Sequence, residues 1–434
     1  MDIILIASLV LVVGIVGCII LGVPIAVGIG LSSFAAAMVL LDFDRAALVS
    51  AQRMFTGINS FTLLAIPFFV LAGVLMNSGG IAGRLIDAAK VLTGRMPNSL
   101  AHTNVLANSL FGAVSGAAVA AAAAIGTVMT PRMREDGYRR DFAAAVNVAS
   151  APAGMLIPPS NTFIVYSLVS STSVAALFMA GVGPGIIWVI ACMIVVAILG
   201  RRYGGGKSGE RPGLKLTLLT LWRAFPSLLM IVIVVGGILA GYFTATESSA
   251  VAVVYCLILG FAYRQLTLKA LPALLMDAAR TTAIVMLLVA VSTVLSFVMS
   301  LGHIPEVVSS ALLGLSDNPN VILIIMMVIL LAVGTFMDPT PAILIFTPIF
   351  LPIVMTFGID PLHFGAMIVY NLSLGVITPP VGNVLFVGAR VAGLRIEPVV
   401  GKLVWFLLAI VIGLFIVVFI PQVSMWLPTV MGLT

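Results

Sequence analysis

The chain has 434 residues, of which 62% are hydrophobic and 8% charged, with a mean hydropathy of +1.26. Soluble domains carry about 25% charged residues, so this composition excludes a soluble globular protein and predicts an all-α polytopic membrane protein, a single membrane domain over 1–434 with roughly ten to twelve spans. The formal net charge of +6 does not point to nucleic acid, because the Lys and Arg residues sit in short loops beside the apolar stretches, as the positive-inside bias produces.

In chain order, Ile3 to Leu41 predicts two spans turning near Gly22-Val23-Pro24; it is too long for a secretory signal and lacks the basic start and the small-residue cleavage site. Further on, two apolar stretches end in related segments, GMLIPPSNT (Gly154 to Thr162) and GVITPPVGN (Gly375 to Asn383). A Pro-Pro pair removes amide donors and pushes the preceding residue out of the helical region, so each segment predicts a broken membrane helix. Broken backbone at membrane depth is tolerated only where protein or a water-filled cavity covers it, and paired breaks in matching halves mark the substrate site of a secondary transporter.

Aligning the two Pro-Pro pairs brings Gly154 onto Gly375, Gly137 onto Gly358 and Pro131 onto Pro352; with a one-residue gap Gly112 meets Gly334, Pro97 meets Pro319 and Gly80 meets Gly302. The chain is read as two repeats, 60–168 and 282–389. The first holds Arg84, Lys90, Arg95, Arg132, Arg134, Arg139 and Arg140, whereas no Lys or Arg occurs from Thr281 to Ala389, where Glu306, Asp317 and Asp360 stand at the loops. Loops cytoplasmic in one copy are therefore external in the other, and the repeat is inverted.

Between Arg95 and Arg132 an uncharged run begins and ends beside cytoplasmic-type charge. A re-entrant hairpin over about 96–130, with its tip near Ser115 to Ala117, fits better than two cramped full spans. Its counterpart covers about 320–356, with the tip near Thr335 to Pro341, and the broken helices cover about 140–168 and 361–389. The remaining spans are 176–199, 226–243, 247–263, 281–301 and 403–421, the last leaving the chain external, with a Gly-rich cytoplasmic linker over 201–223. Segments 1–59, 176–280 and 403–421 read as mainly scaffold. Arg45 and Arg53 fall on the external side, against the bias.

Hairpin tips and breaks related by an in-plane two-fold axis would converge, presenting helix N-termini to an anion and freed carbonyls to sodium. Hard cations need oxygen ligands, which the small polar residues at the breaks and carbonyls freed near the glycines would supply. The candidate sodium ligands are Ser115, Gly116, Ser150, Gly154, Asn161, Gly334, Thr335, Asp338, Gly375, Thr378 and Asn383, and Asn371 also lies near the second break. The candidate substrate contacts are Ser115, Pro158, Ser160, Asn161, Thr162, Asp338 and Asn383. Several read two ways. Ser160 and Ser115 are either helix caps or ligands, and Asp338, an acid before Pro339 in an uncharged stretch, is either an N-cap or a cation or substrate group.

No phosphate loop with Lys-Ser or Lys-Thr occurs, so no ATPase is expected, and no HExxH, GxSxG or CxxC pattern supports an enzyme. Cys18, Cys192 and Cys256 lie in apolar segments and read as buried small hydrophobes, and the scattered His102, His303 and His363 suggest no metal site.

The segments Ile66 to Gly80, Asn108 to Ala120, Gly154 to Tyr166, Gly334 to Ile353 and Tyr370 to Gly382, in this order and spacing, resemble the large membrane (M) subunit of tripartite ATP-independent periplasmic (TRAP) transporters, elevator-type carriers of the ion transporter superfamily. The resemblance implies a sodium-coupled importer of small organic acids in the bacterial inner membrane. It also implies two partners, a small membrane subunit on a separate chain and a periplasmic substrate-binding protein. The hairpins and broken helices, about 96–170 and 320–389, would then move against a scaffold within the membrane lipid. Four-carbon dicarboxylates, sialic acids, other sugar acids and keto acids remain open as substrates. The rival readings are a self-sufficient sodium-carboxylate symporter and a channel.

Overall fold

The computed structural model describes residues 3–204, 214–314, 316 and 318–433. Among them every regular element is helical. Eight helices are long and apolar enough to cross a membrane, or nine if the bent pair Arg140–Leu156 and Asn161–Ser170 forms one span. This is fewer than composition suggests, because much of the apolar sequence lies in shorter helices. Ile25–Leu40 and Pro319–Gly334 have 16 residues each, about 24 Å at 1.5 Å per residue, short of a hydrocarbon core of about 30 Å.

The chain opens with α1 (Ile3–Ile20) and α2 (Ile25–Leu40), joined through Gly22 at φ +72°. α3 (Phe43–Ile58), α4 (Ala65–Ser78) and α5 (Ile81–Thr93) follow. α6 (Ser99–Ser115) and α7 (Ala118–Glu135) form a helical hairpin whose tip turns at Gly116, φ +61°. The next helix is interrupted twice, giving α8 (Arg140–Ser150), α9 (Ala153–Leu156) and α10 (Asn161–Ser170). Four long helices come next, α11 (Val174–Leu199), α12 (Leu214–Leu239), α13 (Ala245–Ala262) and α14 (Leu271–Leu301), and then the short α15 (Ile304–Leu313). α16 (Pro319–Gly334) and α17 (Pro339–Thr356) make a second hairpin, α18 (Pro361–Gly375) and α19 (Asn383–Val391) a second interrupted helix, and α20 (Ile396–Phe419) and α21 (Gln422–Val430) close the chain. Both Pro-Pro bonds, Pro158–Pro159 and Pro379–Pro380, are cis.

Three boundaries differ from the sequence expectation. α12 begins at Leu214, so 214–223, expected to be linker, is helical; leucines and threonines recur there at helical spacing. Lys207 and Arg211 of that linker, and Asp317, lie outside the described residues. α14 starts ten residues ahead of Thr281, because the exposed Asp277 and Arg280 interrupt the hydropathy without interrupting the helix. α21 was not anticipated; it is anchored by Ser424, whose hydroxyl lies 2.7 Å from His363 Nδ1 on α18.

The core is built around α8 and α18, in which every residue from Asp141 to Ser150 and from Leu362 to Gly375 is buried. Each interrupted helix packs on the first arm of its own hairpin, α9 on α6 and α18 on α16. Between α6 and α8 the side chains of Asn104, Asn108, Asn147 and Ser150 form a buried cluster: Asn108 Nδ2 donates to Asn104 Oδ1 at 2.7 Å, to Asn147 Oδ1 at 3.0 Å and lies 2.9 Å from Ser150 Oγ. Asn371 Nδ2 on α18 reaches the Met327 carbonyl on α16 at 2.9 Å. Away from water such bonds are costly to lose, so they fix each hairpin to its helix. α14 packs against α2, α3, α4 and α17, placing a single long helix beside both the second hairpin and the first helices of the chain.

Candidate functional site

The first hairpin tip reaches the first break. Gly116 adopts the left-handed conformation, and a β-carbon there would stand 2.9 Å from the Asn161 side-chain nitrogen and 3.3 Å from its backbone nitrogen. The turn that ends α6 therefore sits directly on the start of α10, and glycine permits both the backbone conformation and the approach. Ser115 is buried, and its Oγ has no hydrogen-bond partner. It does not cap α7, whose N-cap residue is Ala117. Ser160 holds the N-cap position of α10 without a capping bond; its hydroxyl turns back to the Met155 carbonyl and to Thr162 Oγ1 at 2.7 Å. Thr162 shares that carbonyl at 3.1 Å. These two hydroxyls close the break rather than cap the helix.

The second tip reaches the second break in a different way. The Gly382 N–H donates to the Thr335 carbonyl at 3.0 Å, and Val384 N–H spans the break to the Val376 carbonyl at 3.1 Å. Asp338 occupies the N-cap position of α17 with extended dihedrals, yet its side chain makes no capping bond. Its carboxyl instead faces the Asn383 amide and opens into a cavity. α17 begins Pro339-Thr340-Pro341, so two of its first three residues carry no N–H.

That cavity, of about 400 Å³, lies between the two tips. Ser115, Gly116, Asn161 and Thr162 from the first half and Asp338, Pro339 and Thr340 from the second line it, together with the backbone start of α7 from Ala117 to Ala120. α4 contributes Asn77 and Ser78, and α14 contributes Asp277 and Thr281. Among the described residues no Lys or Arg lines it.

The expected residues thus divide. Ser115, Gly116, Asn161, Thr162 and Asp338 meet at the cavity, with Thr335 and Asn383 at its second tip. Ser150 is drawn into the asparagine cluster instead. Gly154 packs on Gly112 and Gly375 on Gly334. Thr378 turns its hydroxyl to the Leu374 carbonyl at 2.7 Å. Pro158 and Ser160 shape the break without lining the cavity. Sequence reasoning missed Asn77, Asp277 and Thr281, because it sought chemistry only at the hairpin tips and helix breaks; the signal was there, since each is a polar residue in an apolar helix.

Chemically the cavity is rich in oxygen, with one carboxylate facing an amide and an unpartnered hydroxyl nearby, a donor set that suits a hard monovalent or divalent cation. Among the described residues no group of three or more His, Cys, Asp or Glu could hold a transition metal. The free amides at the start of α7 suit an anion.

Apolar helices enclosing an interior polar cavity, where hairpin tips meet helix breaks, define a multi-pass membrane permease. Residues 12–423 match the family model of the tripartite ATP-independent periplasmic transporter, DctM component, and the chain belongs to that family. It is 50% identical to the uncharacterized protein YgiK of Salmonella typhimurium over 94% of each chain. It is 38% identical to the sialic acid TRAP transporter large permease protein SiaM of Vibrio cholerae, over 96% of this chain and 97% of that one. The C4-dicarboxylate TRAP transporter large permease protein DctM of Pseudomonas aeruginosa is also 38% identical, over 88% of this chain and 90% of its own length. Among solved structures the YdaH transporter of Alcanivorax borkumensis has a TM-score of 0.62 over 90% of each chain at 15% identity, a likeness of fold alone. The chain is therefore a TRAP large permease, one component of a multi-component transporter rather than an enzyme, and a multi-pass protein of the bacterial inner membrane.

Proposed function

We propose that this permease imports a small organic acid down a sodium gradient, taking it from a periplasmic substrate-binding protein and working with a small membrane subunit on a separate chain. The substrate is a carboxylate or sugar acid of the class named for its relatives, a four-carbon dicarboxylate or a sialic acid among them. The observation that carries this reading is the cavity at which both hairpin tips meet both interrupted helices, with Ser115, Asn161 and Asp338 on its walls. Sodium is held between hairpin tip and helix break, at Ser115, Gly116 and Asn161 on one side and at Thr335, Asp338 and Asn383 on the other. The acid group is held by helix N-termini and amides, since among the described residues no basic side chain lines the cavity.

Charge distribution supports the orientation. Arg84 follows α4 and Lys269 precedes α14, so the ends of these helices that carry Asn77, Ser78 and Asp277 are cytoplasmic by the positive-inside bias, and the cavity faces inward. The aligned glycine contacts of the two halves support an inverted duplication, with α6–α10 and α16–α19 moving together in elevator fashion against the other helices.

The test is uptake into proteoliposomes that hold this chain and its small subunit, with and without a sodium gradient and the binding protein. Import is expected only when all are present. Uptake that survives omission of the binding protein would replace the tripartite reading with a self-sufficient symporter, and uptake without a gradient would replace it with a channel.

A further inference from the structure

A second cavity, of about 360 Å³, lies along the other half of α14. Its walls are Arg53 on α3, Ser292, Thr293, Ser296, Phe297 and Ser300 on α14, and apolar residues of α10 and α17. We propose that Arg53 with Ser292, Ser296 and Ser300 forms an external anion subsite that receives the acid group of the incoming substrate before it reaches the inner cavity. This rests on the import of an organic acid proposed above.

Four observations carry it. Ser292, Ser296 and Ser300 recur every four residues, so they share one face of a helix that is, Thr293 apart, otherwise apolar there. Ser292 is 2% exposed and its Oγ has no hydrogen-bond partner, an orphaned hydroxyl in the wall of the cavity. Arg53 is exposed, forms no ion pair among the described residues and stands with its guanidinium carbon 4.9 Å from the Phe297 ring centroid. Its backbone is fixed to the same helix, the Thr293 hydroxyl donating to the Arg53 carbonyl at 2.8 Å. Among the described residues no carboxylate lines this cavity, so none of them in the wall neutralises the cation. A planar guanidinium of this kind binds a carboxylate or sulfonate through paired N–H groups.

Position gives the subsite its role. Thr281 lines the inner cavity and Ser296 the second one, and 15 residues of α-helix separate them by about 22 Å along α14. α14 leaves the cytoplasmic side at Lys269, so the serine end is the external end by the positive-inside bias. Arg53 lies on the side where that bias disfavours a basic residue, which an anion-binding duty accounts for. The walls contributed by Leu168 and Val169 on α10 and Leu344 on α17 belong to the proposed moving elements, so the same stroke that carries the site outward brings it alongside this subsite.

The test labels the full chain, with Ser296→Cys, in right-side-out vesicles from the external side. The probes are two impermeant thiol reagents of matched size, the anionic sulfonatoethyl and the cationic trimethylammonioethyl methanethiosulfonate. The parent chain is the background control, with Cys192 and Cys256 buried and Cys18 half-buried. The anionic reagent is expected to be favoured, and Arg53→Gln to lower the anionic-to-cationic rate ratio about tenfold, as loss of one nearby charge in a partly screened site should. Arg53→Lys should keep most of the preference. A ratio unmoved by Arg53→Gln, labelling from the cytoplasmic face only, or no labelling at either Ser296→Cys or Ser300→Cys would overturn the subsite. A changed ratio in a protein that shows no sodium-driven uptake would keep the subsite and discard the import reading; an unchanged ratio with uptake intact would do the reverse.

Discussion

Gly154 of α9 rests on Gly112 of α6 so closely that a β-carbon on Gly112 would stand 2.7 Å from the Gly154 α-carbon. Gly375 of α18 repeats the relationship on Gly334 of α16, where an added β-carbon would lie 2.6 Å from the Gly334 α-carbon. Small residues let helix backbones approach in lipid, where hydrophobic burial supplies no drive to associate. The two contacts lock each hairpin arm to its interrupted helix.

Substituting these glycines should therefore loosen both units. Gly154→Ala and Gly375→Ala are each expected to cost about 1–3 kcal/mol, the range for overpacking a tight contact. Gly83→Ala on α5, with nothing within 4 Å of the added carbon, is the control and should be neutral or mildly stabilising. Thermal melting in detergent, followed by size exclusion, measures the difference; equal melting of all three would contradict the contact.

Asp338→Asn separates charge from shape. Because the side chain makes no capping bond and asparagine keeps an oxygen to accept from the Asn383 amide, stability should change by less than about 1 kcal/mol. Sodium-driven uptake should fall about tenfold or more, because the amide oxygen that replaces the carboxylate carries no negative charge to hold the ion. Normal uptake would show that the carboxylate is dispensable.

Ser115→Ala removes a buried hydroxyl that has no partner. Without a ligand such a group is a burden of about 1–3 kcal/mol, so the alanine protein should melt no lower than the parent. If the hydroxyl is a sodium ligand, the sodium concentration for half-maximal uptake rises at the same time. A titration curve identical to that of the parent removes Ser115 from the ion site.

Asn161→Ala and Asn383→Ala address the two breaks in turn. Each should raise the half-saturating sodium concentration while the protein keeps its elution profile. An unshifted sodium titration in both would refute ion binding at the breaks. A shift in one alone would assign the coupling ion to that half.

Much of the architecture was legible because prolines and charges leave local marks. Pro158–Pro159 and Pro379–Pro380 announce helix breaks whatever their surroundings, and like charge at Arg95 and Arg132 requires the chain between them to return to the side it left. The start of α14 was not legible, because Asp277 and Arg280 lower the hydropathy of a helix that is set by packing against α2 and α4. Nor was the fate of the polar residues. Ser150 and Ser115 look alike in sequence, yet one meets Asn108 across α6 and α8 and the other meets nothing, a distinction made by tertiary contacts alone. Asp338 followed by proline has the sequence of a helix cap, and only the direction of its side chain reveals otherwise.

The first residues of α7 and α17 make the two hairpins electrical opposites. Ala118, Val119 and Ala120 each offer an N–H at the start of α7, whereas prolines 339 and 341 strip donors from the start of α17 and Asp338 adds a negative charge. The N–H groups of one tip attract negative charge and the carboxylate of the other repels it, so an acidic molecule between them would have a single favourable orientation, acid end toward α7. On the proposed import mechanism this would also set an order of events: a molecule with acids at both ends would meet Asp338 at close range, where like charges repel, unless a cation is already in place. On that proposal sodium would arrive first, not because a gate compels it but because the second acid would have no berth without it.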